Sequence, residues 1–251
     1  MPGVSLAGET LFYARHGIGP AVVLIHGAGG SHLTWPPALR ALEGVAVYAI
    51  DLPGHGRSAG AGRQRVADYA ADVVAFLNAV GVERAVLVGH SMGGAIAQTV
   101  ALDAPERVAG LVLLGTGARL KVSDVLLERV THDVEGAVRL IAEWAWGPGT
   151  GPDVVARGVE VMMETRPEVL LGDFVACNLF DVRERVAGIG APALVLAGSE
   201  DKMAPAKFGQ SLAQAIPDAR FEVLPGAGHM LALERPAEVA QRIAAFLKAV
   251  K

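Results

Sequence analysis

A serine hydroxyl between two glycines is the first chemistry the sequence offers. Gly89-His90-Ser91-Met92-Gly93 follows an apolar run at residues 85–88 (AVLV) and precedes Gly94-Ala95-Ile96-Ala97-Gln98, which opens a helix. This is G-x-S-x-G in the strand-to-helix setting that gives the motif its meaning. The turn crowds its neighbours, so glycine stands where a Cβ would collide, and the hydroxyl is left exposed for attack. A plain Gly-rich turn would not need small residues on both sides of the serine.

A serine hydroxyl is a poor nucleophile at neutral pH and needs a base, with a carboxylate behind that base. On such a turn the acid and then the histidine follow the serine along the chain. Of seven histidines only His132 and His229 do so. His229 sits in PGAGHM (225–230), just after the last apolar run, where a loop can carry an imidazole over the strand ends. Asp201 closes the run ALVLAGSE and is short and stiff enough to orient the Nδ1 proton of His229. Glu200 is the adjacent alternative, and the Pro205 turn favours Asp201. The end of the run LVLL carries Gly115-Thr116-Gly117 and offers no acid. For the oxyanion, one donor is the amide of Met92. A second is expected in HGAGG (26–30), at Ala28 first and Gly29 second. His26, Asp51, His55 and Arg57 read as loop residues satisfied by nearby backbone.

These residues must be held by a sheet. Apolar runs rich in β-branched residues recur at 21–25, 45–50, 85–88, 111–114, 193–197 and 221–224, mostly without alternation, as for strands covered on both faces. Between some of them lie helical stripes. Residues 66–80 place Tyr69, Val73, Phe76, Leu77 and Val80 on one face, with Gly81 as a stop. Residues 4–6 and 10–14, joined through Gly8, read as an antiparallel edge hairpin. The rhythm stops at 119–187, where helical patterns continue without a strand. Trp144, Trp146, Met162, Met163, Phe174 and Phe180 gather in this stretch, which GPGTGP (147–152) interrupts. A helical cap would use those groups.

Composition closes off other classes. With 52% hydrophobic residues the chain can bury a core, and a formal net charge of -4 without a basic run argues against nucleic acid as a partner. No cluster of Arg or Lys along the sequence awaits a polyanion. Cys177 is the only cysteine, so neither an internal disulfide nor a thiolate metal site is available. No run reaches the roughly 18 apolar residues of a membrane span, and the N-terminal residues lack a leader pattern; the expectation is a cytoplasmic protein with no membrane partner. G-x-G-x-x-G fails at Leu120, and neither a nucleotide P-loop nor H-E-x-x-H is present.

HGAGG, DLPGHGRS (51–58), GHSMGG, GSED and GAGHM occur in the order found in α/β-hydrolase fold enzymes, and over essentially the full length the chain resembles that family, most of all its small esterases, enol-lactonases and carbon–carbon bond hydrolases. The resemblance implies a mostly parallel eight-stranded sheet with helices on both faces. It also implies a core of residues 1–118 and 188–251, with a helical cap insertion at 119–187. It makes Ser91, Asp201 and His229 a catalytic triad, Ala28 and Met92 the oxyanion hole, and Trp144, Trp146, Met162 and Phe174 candidates for the substrate pocket, with no metal and no cofactor. The expected reaction is hydrolysis of a small carboxylic ester with an apolar acyl part. An enol-lactone or a carbon–carbon bond is the alternative target, and a small-molecule receptor or lyase on the same fold is the rival from another class.

Overall fold

Apolar runs without alternation require cover on both faces, and the sheet shows how that cover is supplied. A computed structural model of the chain describes residues 3–6 and 8–250. Residues 1, 2, 7 and 251, at the outer ends of the expected core segments and in the first hairpin, lie outside it. The strands are β1 (Gly3–Leu6), β2 (Glu9–His16), β3 (Ala21–Ile25), β4 (Ala46–Ile50), β5 (Ala85–His90), β6 (Val108–Leu114), β7 (Ala193–Gly198) and β8 (Ala219–Leu224). They form one sheet in the order β1-β2-β4-β3-β5-β6-β7-β8. β1–β2 and β2–β4 pair antiparallel, and the remaining neighbours pair parallel. The helices are α1 (Pro37–Arg40), α2 (Val66–Ala79), α3 (Met92–Asp103), α4 (Asp124–His132), α5 (Val134–Ala145), α6 (Pro152–Met163), α7 (Pro167–Leu179), α8 (Ala206–Ala215), α9 (Leu231–Glu234) and α10 (Pro236–Ala249).

Each central strand feeds two cores. Val23 and Ile25, Leu87, Leu111 and Leu113, and Val195 face one layer with Tyr69, Val73 and Phe76 of α2, Ile96 of α3 and Leu212 of α8. The residues between them, Val22 and Leu24, Val86 and Val88, Val112 and Leu114, and Leu194 and Leu196, face the other layer with Leu39 of α1 and Val239, Ile243 and Phe246 of α10. Side chains alternate across a strand, so burial on both faces demands a continuous apolar run. Each fully buried Val, Leu or Ile contributes about 1.5–3 kcal/mol of transfer free energy. α2 ends at Gly81, whose φ of +68° suits glycine.

Four strand ends reach beyond the apolar runs. β7 runs on to Gly198, and β8 starts at Ala219. β6 begins at Val108, with Ala109 skipped at a register shift and Gly110 pairing without bulk, and β5 carries on through Gly89 and His90 to the serine turn. Between β6 and β7 the chain forms α4 to α7, and the stretch is closed at its base by an isolated bridge between Arg119 and Asp181. Val182 N–H also donates to Ala118 O there. α7 is buried nearly all round: Leu170, Phe174, Ala176 and Cys177 join the core that α3 covers. The sheet order turns between β3 and β5, with β4 on one side and β6 on the other, and a crevice opens beyond their carboxyl ends. Among the described residues no helix is long and apolar enough to cross a membrane.

Candidate active site

Ser91 stands at that crevice, between the last residue of β5 and the first of α3. Its φ of 53° and ψ of -115° make it the one described non-glycine residue with positive φ, a strain on the order of 1–3 kcal/mol that neighbouring structure must hold. The glycines on either side are required by close approach. A Cβ on Gly89 would strike the Gly93 carbonyl, and one on Gly93 would strike Ile25 O. Ser91 N–H donates to Leu114 O at 2.9 Å, tying the turn to the end of β6. Among the described residues the Ser91 hydroxyl, on the cavity wall, has no hydrogen-bond partner.

The histidine is brought to the same place from the far end of the chain. His229 Nδ1 lies 2.9 Å from Asp201 Oδ2, and both side chains are almost fully buried. Asp201 Oδ1 accepts the N–H groups of Met203 and Ala204 at 2.9 and 2.7 Å. Burial pushes the Asp201 carboxyl upward, but His229 and these two amides outweigh it and hold the group below its ordinary value. Glu200 points elsewhere, to the Ser199 hydroxyl at 3.0 Å, and His132 is exposed on α4. Gly115, one residue past Leu114, runs so close under the imidazole that a Cβ there would lie 3.2 Å from Nδ1. His90, the residue before the nucleophile, places its Nε2 2.9 Å from His229 O, with the two rings 4.8 Å apart. Burial, then the proximity of His229, lowers its pKa to about 3, so a neutral His90 donates that bond and fixes the histidine loop. Sequence reasoning missed this residue because it occupies a variable position of the motif.

The loop after β3 offers amides to the same crevice. Gly29 N–H is taken: it donates to Asp173 Oδ2 at 2.9 Å, while the Thr165 hydroxyl donates to Gly29 O at 3.1 Å. Gly30 N–H donates to Gly27 O. Ala28 and Met92 have main-chain N–H groups without an acceptor among the described residues, and Ala28 lines the cavity. Gly27 abuts Ser91 so closely that a Cβ on it would lie 3.2 Å from Ser91 Cβ. Of the two alternatives for the second donor, Gly29 is therefore engaged and Ala28 is open.

Asp173 was invisible to pattern reading, and it is fully buried in α7. It accepts from Gly29 N–H, from the Tyr69 hydroxyl at 2.6 Å and from His55 Nε2 at 2.7 Å. His55 Nδ1 lies 3.1 Å from Pro53 O, so both its nitrogens face acceptors. Burial lowers the His55 pKa, but the Asp173 carboxylate overrides it and the net direction is upward. This histidine–carboxylate pair ties the loop after β3, the 51–58 loop and α7 together. His26 and Asp51 are satisfied as expected. His26 Nδ1 bonds Gly27 O and its Nε2 accepts Leu52 N–H, and Asp51 accepts His32 and Arg57 N–H. Asp51 also takes the His32 Nδ1 proton, a side-chain pairing not anticipated.

Above Ser91 and His229 opens a cavity of about 780 Å³. Trp144, Trp146, Met162 and Phe174 all line it, with Val138, Ile141 and Cys177. Met163 and Phe180 do not: Met163 is exposed on α6 and Phe180 is packed in the core. No run of Arg or Lys in the sequence announces it, but Arg119, Lys121, Arg183 and Lys202, from three separate segments, all line the cavity. A further carboxylate, outside the cavity lining, ties the turn after α5 to the His229 loop. Glu234 accepts from Gly147 N–H and the Thr150 hydroxyl, between α5 and α6, and from Gly228 N–H, next to His229.

Comparison with known proteins places these features in context. The model of the Alpha/beta hydrolase family matches residues 22–242. A provisionally named carbamate hydrolase of Variovorax paradoxus is 33% identical over 96% of this chain and 97% of its own length. A solved thermophilic esterase is 33% identical with a TM-score of 0.90, covering 99% of this chain and 97% of that one. The enol-lactonase of Burkholderia xenovorans LB400 has a TM-score of 0.91 at 27% identity, covering 98% of this chain and 100% of that one.

Proposed function

The chain belongs to the alpha/beta hydrolase family, and from that premise we propose that it is a serine hydrolase that cleaves a small carboxylic ester through an acyl-enzyme. The carrying observation is the buried Asp201–His229 pair, whose unengaged Nε2 shares a cavity with the unpartnered Ser91 hydroxyl. Ser91 Oγ attacks the carbonyl carbon while His229 Nε2 takes its proton. Asp201 holds the Nδ1 proton and stabilises the imidazolium. The oxyanion is received by the main-chain N–H groups of Met92 and Ala28, and loss of one such donor costs about 3–4 kcal/mol of transition-state stabilisation. His229 then protonates the leaving alcohol. In the second half it removes a proton from water, which attacks the acyl carbon, and Ser91 leaves with that proton while the acid departs. Substrate, water and side chains of this chain supply every atom of the cycle.

In this reading α4 to α7 form the cap, and Trp144, Trp146, Met162 and Phe174 receive the apolar part of the acyl group. The relatives' names, an esterase, an enol-lactonase and a carbamate hydrolase, share attack on an acyl carbon, which supports the reaction class. The test is a panel of p-nitrophenyl esters, together with a fluorophosphonate that labels activated serines. Turnover with the label on the Ser91 peptide is expected, and Ser91→Ala should lower kcat by about 10⁴–10⁶. Near-native turnover in that variant, or a label elsewhere, overturns the assignment.

A further inference from the structure

The charges on the cavity wall are unevenly placed. Residues 27–30, Trp146, Met162 and Phe174 bring no charge to the cavity, whereas the segment leaving β6 brings Arg119, Lys121 and Asp124, the segment between α7 and β7 brings Arg183, and the segment leaving β7 brings Lys202. Those segments are neighbours: Leu120 N–H donates to Phe180 O, Val182 N–H to Ala118 O, and a Cβ on Gly117 would meet Phe208. Asp181 neutralises Arg183 through both sides of its guanidinium, at 2.8 and 2.6 Å, and reaches Arg119 only at 3.7 Å. Lys121 and Lys202 are exposed and have no ion pair among the described residues. The chain is acidic, with net charge -4 and only five lysines. Two of those five line this one cavity, and a third, Lys207, is adjacent in sequence to the lining residue Phe208. No glutamate lines it, and Asp124 is the one carboxylate there besides the triad's environment.

A cleft lined by one sign of charge and walled by apolar groups concentrates the opposite charge. We propose that Lys121 and Lys202, backed by Arg119, form an anion subsite at the cavity mouth, so that the ester carries a carboxylate at the end remote from the scissile bond. The proposal rests on the hydrolase reading and narrows its substrate class. A carboxylate fits better than a phosphate, because the rim offers separate ammonium point charges while the guanidinium fork of Arg183 is occupied by Asp181. An acid-terminated chain also suits a cavity lined both by apolar Trp and Met side chains and by cations. The corresponding reaction releases a dicarboxylic acid from its monoester: water adds to the acyl carbon, the C–O bond to the alcohol breaks, and the remote carboxylate is unchanged.

The test compares p-nitrophenyl hydrogen adipate with p-nitrophenyl hexanoate, which matches its chain length without the charge. The readout is the ratio of their kcat/KM values. In the parent protein the ratio should favour the acid by roughly three- to tenfold at low salt and decline as NaCl is added, as exposed ion pairs do. Lys121→Gln/Lys202→Gln should bring the ratio near one, whereas Lys248→Gln, on α10 and away from the cavity, should leave it in place. A ratio at or below one in the parent, or one unmoved by the double substitution, overturns the subsite. That result with hexanoate turnover still dependent on Ser91 leaves the hydrolase reading standing. Calorimetric titration of monomethyl adipate into Ser91→Ala reads the subsite without chemistry. Binding there that does not weaken when Lys121→Gln/Lys202→Gln is added also overturns it, even if no ester is turned over.

Discussion

Two buried aspartate–histidine pairs lie near the cavity, and they differ in what the histidine has left to offer. In Asp201–His229 the carboxylate takes Nδ1, and Nε2 has no partner among the described residues. In Asp173–His55 the carboxylate takes Nε2 and a carbonyl faces Nδ1, so the ring is fully committed. Distance does not separate them, at 2.9 and 2.7 Å, and neither does burial. The free nitrogen does. The first pair can move a proton to and from a reacting atom, whereas the second can only hold three chain segments in register. The second also fixes the loop on which Ala28 sits, through the Gly29 amide.

The free nitrogen of His229 should weigh most on activity. His229→Ala should lower kcat by about 10⁴–10⁶ in the p-nitrophenyl ester assay. His55→Ala, assayed below its melting temperature, should lower it by no more than about 10². Equal losses in the two variants would erase the distinction. Stability should show the reverse emphasis: Asp173→Ala leaves the buried His55 ring, the Tyr69 hydroxyl and the Gly29 amide without their acceptor, and it should cost about 3–5 kcal/mol by urea denaturation. A change below about 1 kcal/mol would mean that the pair carries no structural load.

The division between these two pairs was half visible in the sequence. Ser91, Asp201 and His229 could be chosen because each follows an apolar strand run and sits in a short pattern of glycines or turn residues. Such local signals survive without coordinates. Asp173 gave none, because its partners lie 104 to 144 residues away and its helix reads as an ordinary apolar one. The only hint was a carboxylate in an almost wholly apolar stretch, LLGDFVAC, where burial demands compensation. The cationic wall escaped for the same reason, since Arg119, Lys121, Arg183 and Lys202 belong to segments that meet only when β6 and β7 are paired. Strands were legible where bulk was continuous, and the start of β6 was not, because Ala109 falls at a register shift and Gly110 pairs without bulk.

Acidity should sharpen the contrast between committed and neutral histidines. Burial lowers the pKa of His26 to about 4 and that of His90 to about 3, so both stay neutral in the fold while they would charge near 6.5 in the unfolded chain. Each therefore removes about 1.4 kcal/mol of stability per pH unit as pH falls from about 6.5 toward its folded value. His55, raised by Asp173, acts oppositely: its contribution is complete below about 6.5 and is lost as pH climbs through the folded value. Melting temperatures across pH should thus decline on both sides of neutrality. His90→Gln should remove about half of the slope between pH 6.5 and 4.5, and an unchanged slope would show that His90 is not held neutral.

The smaller effects test the serine turn and the rejected acid. Ser91→Gly relieves a positive φ that only glycine adopts freely, and it should stabilise the fold by about 1 kcal/mol in thermal melts while abolishing turnover. Destabilisation there would mean that the turn is unstrained. Glu200→Gln should change stability by less than about 0.5 kcal/mol and turnover by less than twofold, as befits an exposed side chain. A large loss of turnover would move the acid assignment from Asp201 to its neighbour.

Glu234 has a mechanical meaning. Its two oxygens staple the kink between α5 and α6 to the peptide beside His229. Moving that kink outward would break the same staple and release the peptide beside His229. At this seam, then, outward movement of the α5–α6 turn and displacement of the peptide beside His229 are coupled through one side chain.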